Sequence, residues 1–436
     1  MADSGGVKRV VLTSSFLLFA SIVASICLER KLYRQRVWRR RLAHKKVSKS
    51  SDLGTSFGLD IGGTLAKIVY FEHHEARDEK RSRSASLDGA AREMNEFLRE
   101  HLAFGITGVQ DVRLKAYSTI LNGVFHFMQF ESSRTREAVE FIVNNGINQS
   151  LRILPCTGGG AHKYGPVFKE MAGIELEKYD EINCTILGLH LLLTTLPDEM
   201  YTFEVVDFNS LAASRAKTVP PDADDNVYPY LLVSIGSGVS VLYVKGPEDY
   251  ERVSGSSIGG GTYWGLCRLL THCESYDEAL DLCVTGSNQS VDMSVGDIYG
   301  GAYDKFNLPA STVASSFGKM ISASRESVSD ADLARSLLVM VTQNIGQVAF
   351  LNATLYKTKN IFFVGNFLRH NRISSRTLAY AINFWSKGAM EARFCKHEGY
   401  LGALGAFVRH AEVTNAHGKD FVSATRRTRP LSETQL

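Results

Sequence analysis

Two stretches of this 436-residue chain set glycines and a hydroxyl between β-prone runs, and the first carries a carboxylate beside them. In FGLDIGGTLAKIVYFE, Phe57 to Glu72, two apolar runs meet at Gly62, Gly63 and Thr64, with Asp60 near the end of the first. Glycines let backbone N–H groups approach an anion, the threonine adds a hydroxyl donor, and a carboxylate at a strand end can hold a hydrated divalent cation. Those parts suit a nucleotide phosphate tail with magnesium; the alternative is an ordinary tight hairpin holding a chance aspartate. LLVSIGSGVSVLYV, Leu231 to Val244, repeats the layout around Gly236, Ser237 and Gly238. The recurrence suggests two related lobes facing one cleft, each supplying one loop to the phosphates.

The elements that must carry these residues follow from the pattern of apolar positions. EKYDEINCTILGLHLLLTTL reads as a helix with Ile182, Ile186, Leu189 and Leu193 on its apolar face. Glu181 begins it, where a helix dipole favours an acid, and Asp180 beside it suits a cap. Two runs of three glycines, Gly158 to Gly160 after a short strand and Gly259 to Gly261 before a helix, let the backbone pass close to a ligand or make a packing turn. A long helix is expected from the Ser329/Asp332 capping signature onward, with Leu333, Leu337, Val341, Ile345 and Val348 on one face. NIFFVGNFL reads as a buried strand ending at Gly365 and Asn366, and GYLGALGAFVRH as a helix with small residues on one side. Residues 89–103 and 134–145 have helical character, Asp111 to Thr119 reads as a strand, and Tyr299 reads as packing. The charged run 73–90 is expected as a mobile surface loop, the Pro- and Asp-rich stretch before Tyr230 as a loop, and the polar chain from Ala411 as disordered.

With 44% hydrophobic residues the chain can bury two lobes. Its net charge of +3 hides a partition: residues 1–50 carry 12 Lys/Arg against 2 Asp/Glu, a balance of +10, which leaves −7 for the remainder. A mildly acidic body gives no electrostatic reason to expect nucleic acid. Seven cysteines without a CxxC pair argue against a disulfide framework or a zinc site, and suit a reducing compartment. Val10 to Leu28 is uncharged for 19 residues, enough for a helix of about 28 Å, and ten Lys/Arg follow it against two before. This predicts an N-terminal membrane anchor with a cytosolic body, or else an organelle-targeting (mitochondrial) or cleaved segment.

In order along the chain, GLDIGGTLAKIVYFE, CTGGGAHKY, YDEINC, SIGSGVSVL, ERVSGSSIGGGTYWGL, DIYGG, FVGNFL and HEGYLGALGA resemble the eukaryotic (type II) pantothenate kinases, over about residues 56–408. The resemblance implies an α/β, two-lobed actin/hexokinase/Hsp70-like (ribonuclease H-like) ATPase fold. Kinase lobes are expected at 54–229 and 230–410, while the hydrophobic and basic segment (1–50) and the tail (411–436) fall outside the resemblance. It implies transfer of the γ-phosphate of ATP to the terminal hydroxyl of pantothenate, with Mg2+ as cofactor, a homodimer, and acyl-CoA as feedback inhibitor. Carried over by motif, Glu181 is the general base, which a hydroxyl nucleophile needs to lose its proton. Asp60 binds the metal shell; Gly62, Gly63, Thr64, Lys67, Gly236, Ser237 and Gly238 hold phosphates, and Ser237 also meets the substrate. Arg252 pairs with the pantothenate carboxylate, a planar acceptor suited to a guanidinium fork. Gly365 and Asn366 stand where the superfamily contacts adenosine. The alternatives are a sugar kinase on the same scaffold and a catalytically silent relative that binds acyl-CoA or a partner.

Overall fold

The computed structural model describes residues 53–74, 85–204, 214–219, 227–246 and 248–414. The predicted segments 1–50 and 415–436, and residues 75–84 of the charged run, lie outside the described residues. The chain is α/β and divides into two compact units. One comprises the chain through Arg113 together with Phe125–Tyr179; the other comprises Leu114–Val124 and the chain from Asp180 onward.

In the first unit the predicted strands around the double glycine form a hairpin. Phe57–Ile61 runs antiparallel to Leu65–His73, with Asp60 opposite Lys67. Ile153–Thr157 lies parallel to the first of these, placing Thr157 opposite Asp60. The sheet runs in the order 103–104, 108–110, 123–131, 65–73, 57–61, 153–157, 175–178. Ala90, Met94, Phe97 and Leu98 on the Ala85–Glu100 helix recur at the spacing of one helical face, and they pack with Leu59, Ile61, Tyr70 and Phe168 in one core.

The second unit repeats the plan. Tyr230–Ile235 and Val239–Val244 form the hairpin, and Asn360–Val364 lies parallel to the first strand. The seven-stranded sheet runs 216–218, 200–203, 391–395, 360–364, 230–235, 239–244, 250–256. The repeat extends to a detail of the backbone. In each unit the strand parallel to the hairpin ends on a glycine of positive φ, Gly158 at 85° and Gly365 at 109°. A Cβ on Gly158 would strike the carbonyl of Ile61, and one on Gly365 that of Ile235, the last residue of each first hairpin strand. Only glycine fits either position.

The long helix spans Asp330–Tyr356. Ser329 Oγ accepts from Asp332 N at 3.1 Å, and Asp332 Oδ2 accepts from Ser329 N at 3.4 Å. Its expected face is in place, with Leu333, Leu337, Val341 and Ile345 buried and Val348 packed on the core of this unit. The helices Glu181–Thr195 and Leu401–Thr414 meet backbone to backbone: a side chain on Gly188 would collide with the Leu401 carbonyl, and one on Gly405 with that of Cys184.

Several expectations shift. The first helix starts at Ala85, so residues 85–90 of the charged run are helical rather than loop. Asp111 to Thr119 is not one strand but a 3-10 turn, Val112–Leu114, and a short strand, Ala116–Ser118. The dominant strand nearby is Gly123–Glu131, buried at nearly every position on both faces, so its sequence lacks the alternation that marks a strand. The last helix continues to Thr414 with Ala411 buried, so residues 411–414 belong to the folded body. The chain passes from the first compact unit to the second at Tyr179/Asp180. Met200–Phe203 and Ala216–Thr218 pair as the edge of the second sheet, so both sides of the Pro- and Asp-rich stretch belong to one unit.

Candidate active site

In the first unit the Gly62–Thr64 turn is closed by Gly62 N donating to Leu65 O at 3.0 Å. It is braced by Ser132, whose N–H donates to Thr64 O and whose Oγ donates to Gly62 O, both at 2.8 Å. Gly63 and Thr64 are exposed, so the turn presents its donors outward. Asp60 and Lys67 are cross-strand partners and share a face. Burial raises the Asp60 pKa above the ordinary carboxylate value, and the Lys67 charge opposes that rise. A Cβ on Gly158 would sit 2.6 Å from Asp60 Oδ1, so the glycine keeps that oxygen open. A hard carboxylate oxygen beside a glycine turn fits magnesium, which takes one or two carboxylates and completes its shell with water and phosphate rather than demanding a protein cage. Among the described residues no group of three or more His, Cys, Asp or Glu side chains could hold a metal ion.

The second unit holds a pocket of about 610 Å3 lined by Glu181, Gly236, Ser237, Gly238, Ser240, Arg252 and Gly255, with further serines. Asp180 caps the helix that begins at Glu181, its Oδ1 accepting from Asn183 N at 2.8 Å, which fixes where the glutamate starts. The Gly236–Gly238 turn is closed by Gly236 N to Gly238 O at 2.9 Å. Beneath it lies the glycine triplet: Gly260 N donates to Gly236 O and Gly261 N to Ser237 O, and a Cβ on Gly259 would lie 2.8 Å from Gly238 Cα. Gly259 to Gly261 is therefore a packing turn that supports the upper loop. Arg252 is exposed within the pocket, and its Nε donates to Ser240 Oγ at 3.4 Å.

The pocket thus gathers a carboxylate, a guanidinium, several hydroxyls and a glycine turn, all from one unit. A family model described as Fumble matches residues 56–409. The chain belongs to the Fumble family. Among similar proteins are pantothenate kinase 2 of Arabidopsis thaliana, 41% identical over 85% of this chain and 40% of that one, and pantothenate kinase 1 of the same plant, 40% identical over 82% and 86%. A third is the 4'-phosphopantetheine phosphatase of Mus musculus, 38% identical over 82% of this chain and 41% of that one. The chain spans about 40% of the length of the first of these relatives. A ROK hexokinase from Thermus thermophilus, 12% identical, covers 82% of this chain and 99% of its own at a TM-score of 0.32, a likeness that adds nothing to the sheets themselves.

The residues singled out in this Fumble chain thus fall into two sets, each within one unit. Asp60, Gly62, Gly63, Thr64 and Lys67 stand together on the first hairpin, while Glu181, Gly236, Ser237, Gly238 and Arg252 line one pocket of the second unit. Gly365 and Asn366 do not line that pocket; Gly365 packs on Ile235, and Asn366 Oδ1 is buried with no hydrogen-bond partner among the described residues. Tyr299, expected as packing, is 59% exposed and its ring lies tilted at 30° against that of Tyr303, with centroids 4.6 Å apart. The sequence reading passed over Ser132, Ser240 and Gly255. Ser132 meets Gly62 from 70 residues away and Ser240 meets Arg252 across paired strands, relations that linear spacing does not show, whereas Gly255 shares a strand with Arg252.

Proposed function

We propose that this chain phosphorylates pantothenate at the expense of ATP, with Mg2+. One observation carries the reading: Glu181, Arg252 and the Gly236–Gly238 turn line a single pocket, so a proton acceptor, a fixed cation and phosphate donors face one small cavity. The names of the plant relatives support it.

Glu181 accepts the proton of the pantothenate hydroxyl while that oxygen forms a bond to the γ-phosphorus. The bond from that phosphorus to the bridging oxygen breaks, and ADP leaves with the electron pair. Backbone N–H groups of the second glycine turn and the Ser237 hydroxyl donate to oxygens on which charge builds. The turn beyond Asp60, with Lys67 beside it, serves the ATP phosphates. Arg252 holds the carboxylate end of the substrate and so selects an acid over a neutral alcohol. Asp60 would hold the magnesium, whose chemistry when bound is to neutralise phosphate charge. Inhibition by acyl-CoA, a homodimer, and membrane attachment or organelle targeting through residues 10–28 accompany this proposal. No helix among the described residues is long and apolar enough to cross a membrane, and residues 10–28 lie outside them.

A coupled ADP-release assay with ATP, magnesium and pantothenate, without thioesters, tests the reading. ADP released with pantothenate and not with hexoses is the expected result. Release with a hexose alone would make the chain a sugar kinase, and none with any acceptor a silent relative.

A further inference from the structure

The strand Tyr250–Ser256 carries one residue more than the strand it pairs with. From its far end, Ser256 faces Val239, Gly255 faces Ser240 and Ser254 faces Val241; the register then slips, and Leu242 faces Arg252. Val253 is the extra residue, a β-bulge. The slip decides which face Arg252 occupies, because side chains alternate and a shift of one residue inverts them. Val239 and Val241 belong to the core, and Tyr243 packs against it, so Ser240 and Leu242 look the other way, and Ser240 lines the pocket. Opposite Leu242, Arg252 shares the face of Ser240. Without the bulge it would lie opposite Tyr243 and point at the core, where Val253 packs instead.

A second feature fixes the guanidinium once it is on the pocket face. Gly255 lies on that same face, opposite Ser240. A Cβ there would run into Arg252 Nη2, would approach Arg252 Cζ to 3.2 Å and would sit 2.7 Å from the Val239 carbonyl oxygen. The guanidinium therefore lies over bare glycine backbone, with Nε on Ser240 Oγ at 3.4 Å. Among the described residues Arg252 makes no ion pair, so no internal carboxylate competes for the fork.

We infer that the Val253 bulge and Gly255 are positioning features for Arg252, and that together they set the preference of this pocket for a carboxylate-bearing substrate. The inference rests on the proposed phosphorylation of pantothenate and deepens it. Gly255→Ala pushes the guanidinium off its seat while leaving Glu181 in place.

The test compares pantothenate with its neutral alcohol analogue, in which a hydroxymethyl group replaces the carboxylate. Gly255→Ala is expected to raise KM for pantothenate about tenfold, the size of one charge-assisted hydrogen bond, with a much smaller fall in kcat and with the KM for ATP held. The ratio of kcat/KM for acid over alcohol should fall by a similar factor. In an Arg252→Lys background, which lacks Nη2 and the planar fork, adding Gly255→Ala should change that ratio by less than about twofold. Equal losses of discrimination in both backgrounds would mean that Gly255 acts only through the backbone, and would overturn the inference. If Gly255→Ala does not fold, Ser240→Ala takes its place: it removes the Nε partner without a backbone collision, and unchanged discrimination in it would also overturn the inference. Wild-type protein inactive on pantothenate removes the reading underneath, whereas active wild type with unaltered variants removes only the positioning role.

Discussion

Glu181 and Arg252 carry opposite charges into one pocket, and their variants should fail in different ways. Glu181→Gln keeps the size and the cap beside it but cannot take a proton, so kcat is expected to fall by about 100-fold or more while ATP binding, followed by calorimetric titration, is retained. Turnover near the wild-type rate would remove Glu181 from the chemistry. The two residues were also unequally legible. Asp180 and Glu181 sit at a helix start, where type and position speak for themselves, and the cap is where the sequence placed it. Arg252 was named only through its motif. Strict alternation along ERVSG would send its side chain toward the core, and only the bulge at Val253 returns it to the pocket. His397 is buried in an ion pair with Glu199 at 2.8 Å, and nothing in its neighbours along the chain announces a partner 198 residues away.

The elements that aim Glu181 are held by backbone contact rather than by side-chain interlock. Gly405 meets the carbonyl of Cys184, one turn into the helix that starts at Glu181, and Gly188 meets that of Leu401. Gly405→Ala must separate the two helices; a loss of about 1–3 kcal/mol is expected in denaturant unfolding, together with a lower kcat, since the displaced turn carries the carboxylate proposed as the general base. A stability loss without any change in kcat would show that the helix pair does not aim Glu181. At the long helix, Ser329→Ala removes an N-cap whose geometry is in place, and should cost about 1 kcal/mol. That helix was readable because cap and apolar face agree. Gly123–Glu131 was not, since burial on both faces erases the period-two signal and leaves an apolar run with no direction. The glycine hairpins were legible for the opposite reason: the residues that interrupt each pair of strands are the residues that make the turn.

At the scale of the molecule, the chain leaves the first unit after Arg113 and returns to it at Phe125, and the segment between belongs to the second. No composition signal marks that excursion. The strands on either side of the Pro- and Asp-rich stretch, Ala216–Thr218 and Tyr230–Ile235, belong to one sheet. What holds the excursion is specific: His397 Nε2 donates to Leu114 O at 2.7 Å, and Ser118 Oγ donates to Thr195 O at 3.1 Å. The other ring nitrogen of His397 faces Glu199 Oε2 at 2.8 Å, so both nitrogens meet acceptors, an arrangement that favours the protonated ring. Burial alone would pull the pKa of His397 down; the hydrogen bond and charge of Glu199, with the Leu114 carbonyl, outweigh it and leave the pKa above the ordinary histidine value. A pKa raised on folding means that the folded state holds its proton more tightly than the unfolded chain. The stabilisation is therefore complete below the unfolded value of about 6.5 and is lost as pH rises through the higher folded value. Urea unfolding of the whole chain between pH 5.5 and 9 should show stability falling on the alkaline side of that window. His397→Gln should be less stable at pH 6 by about 3 kcal/mol, the cost of stranding Glu199, and should lose the alkaline decline. A variant that kept the wild-type slope above pH 6.5 would mean that some other group titrates there, and that the 114–124 segment is tied down without this charge.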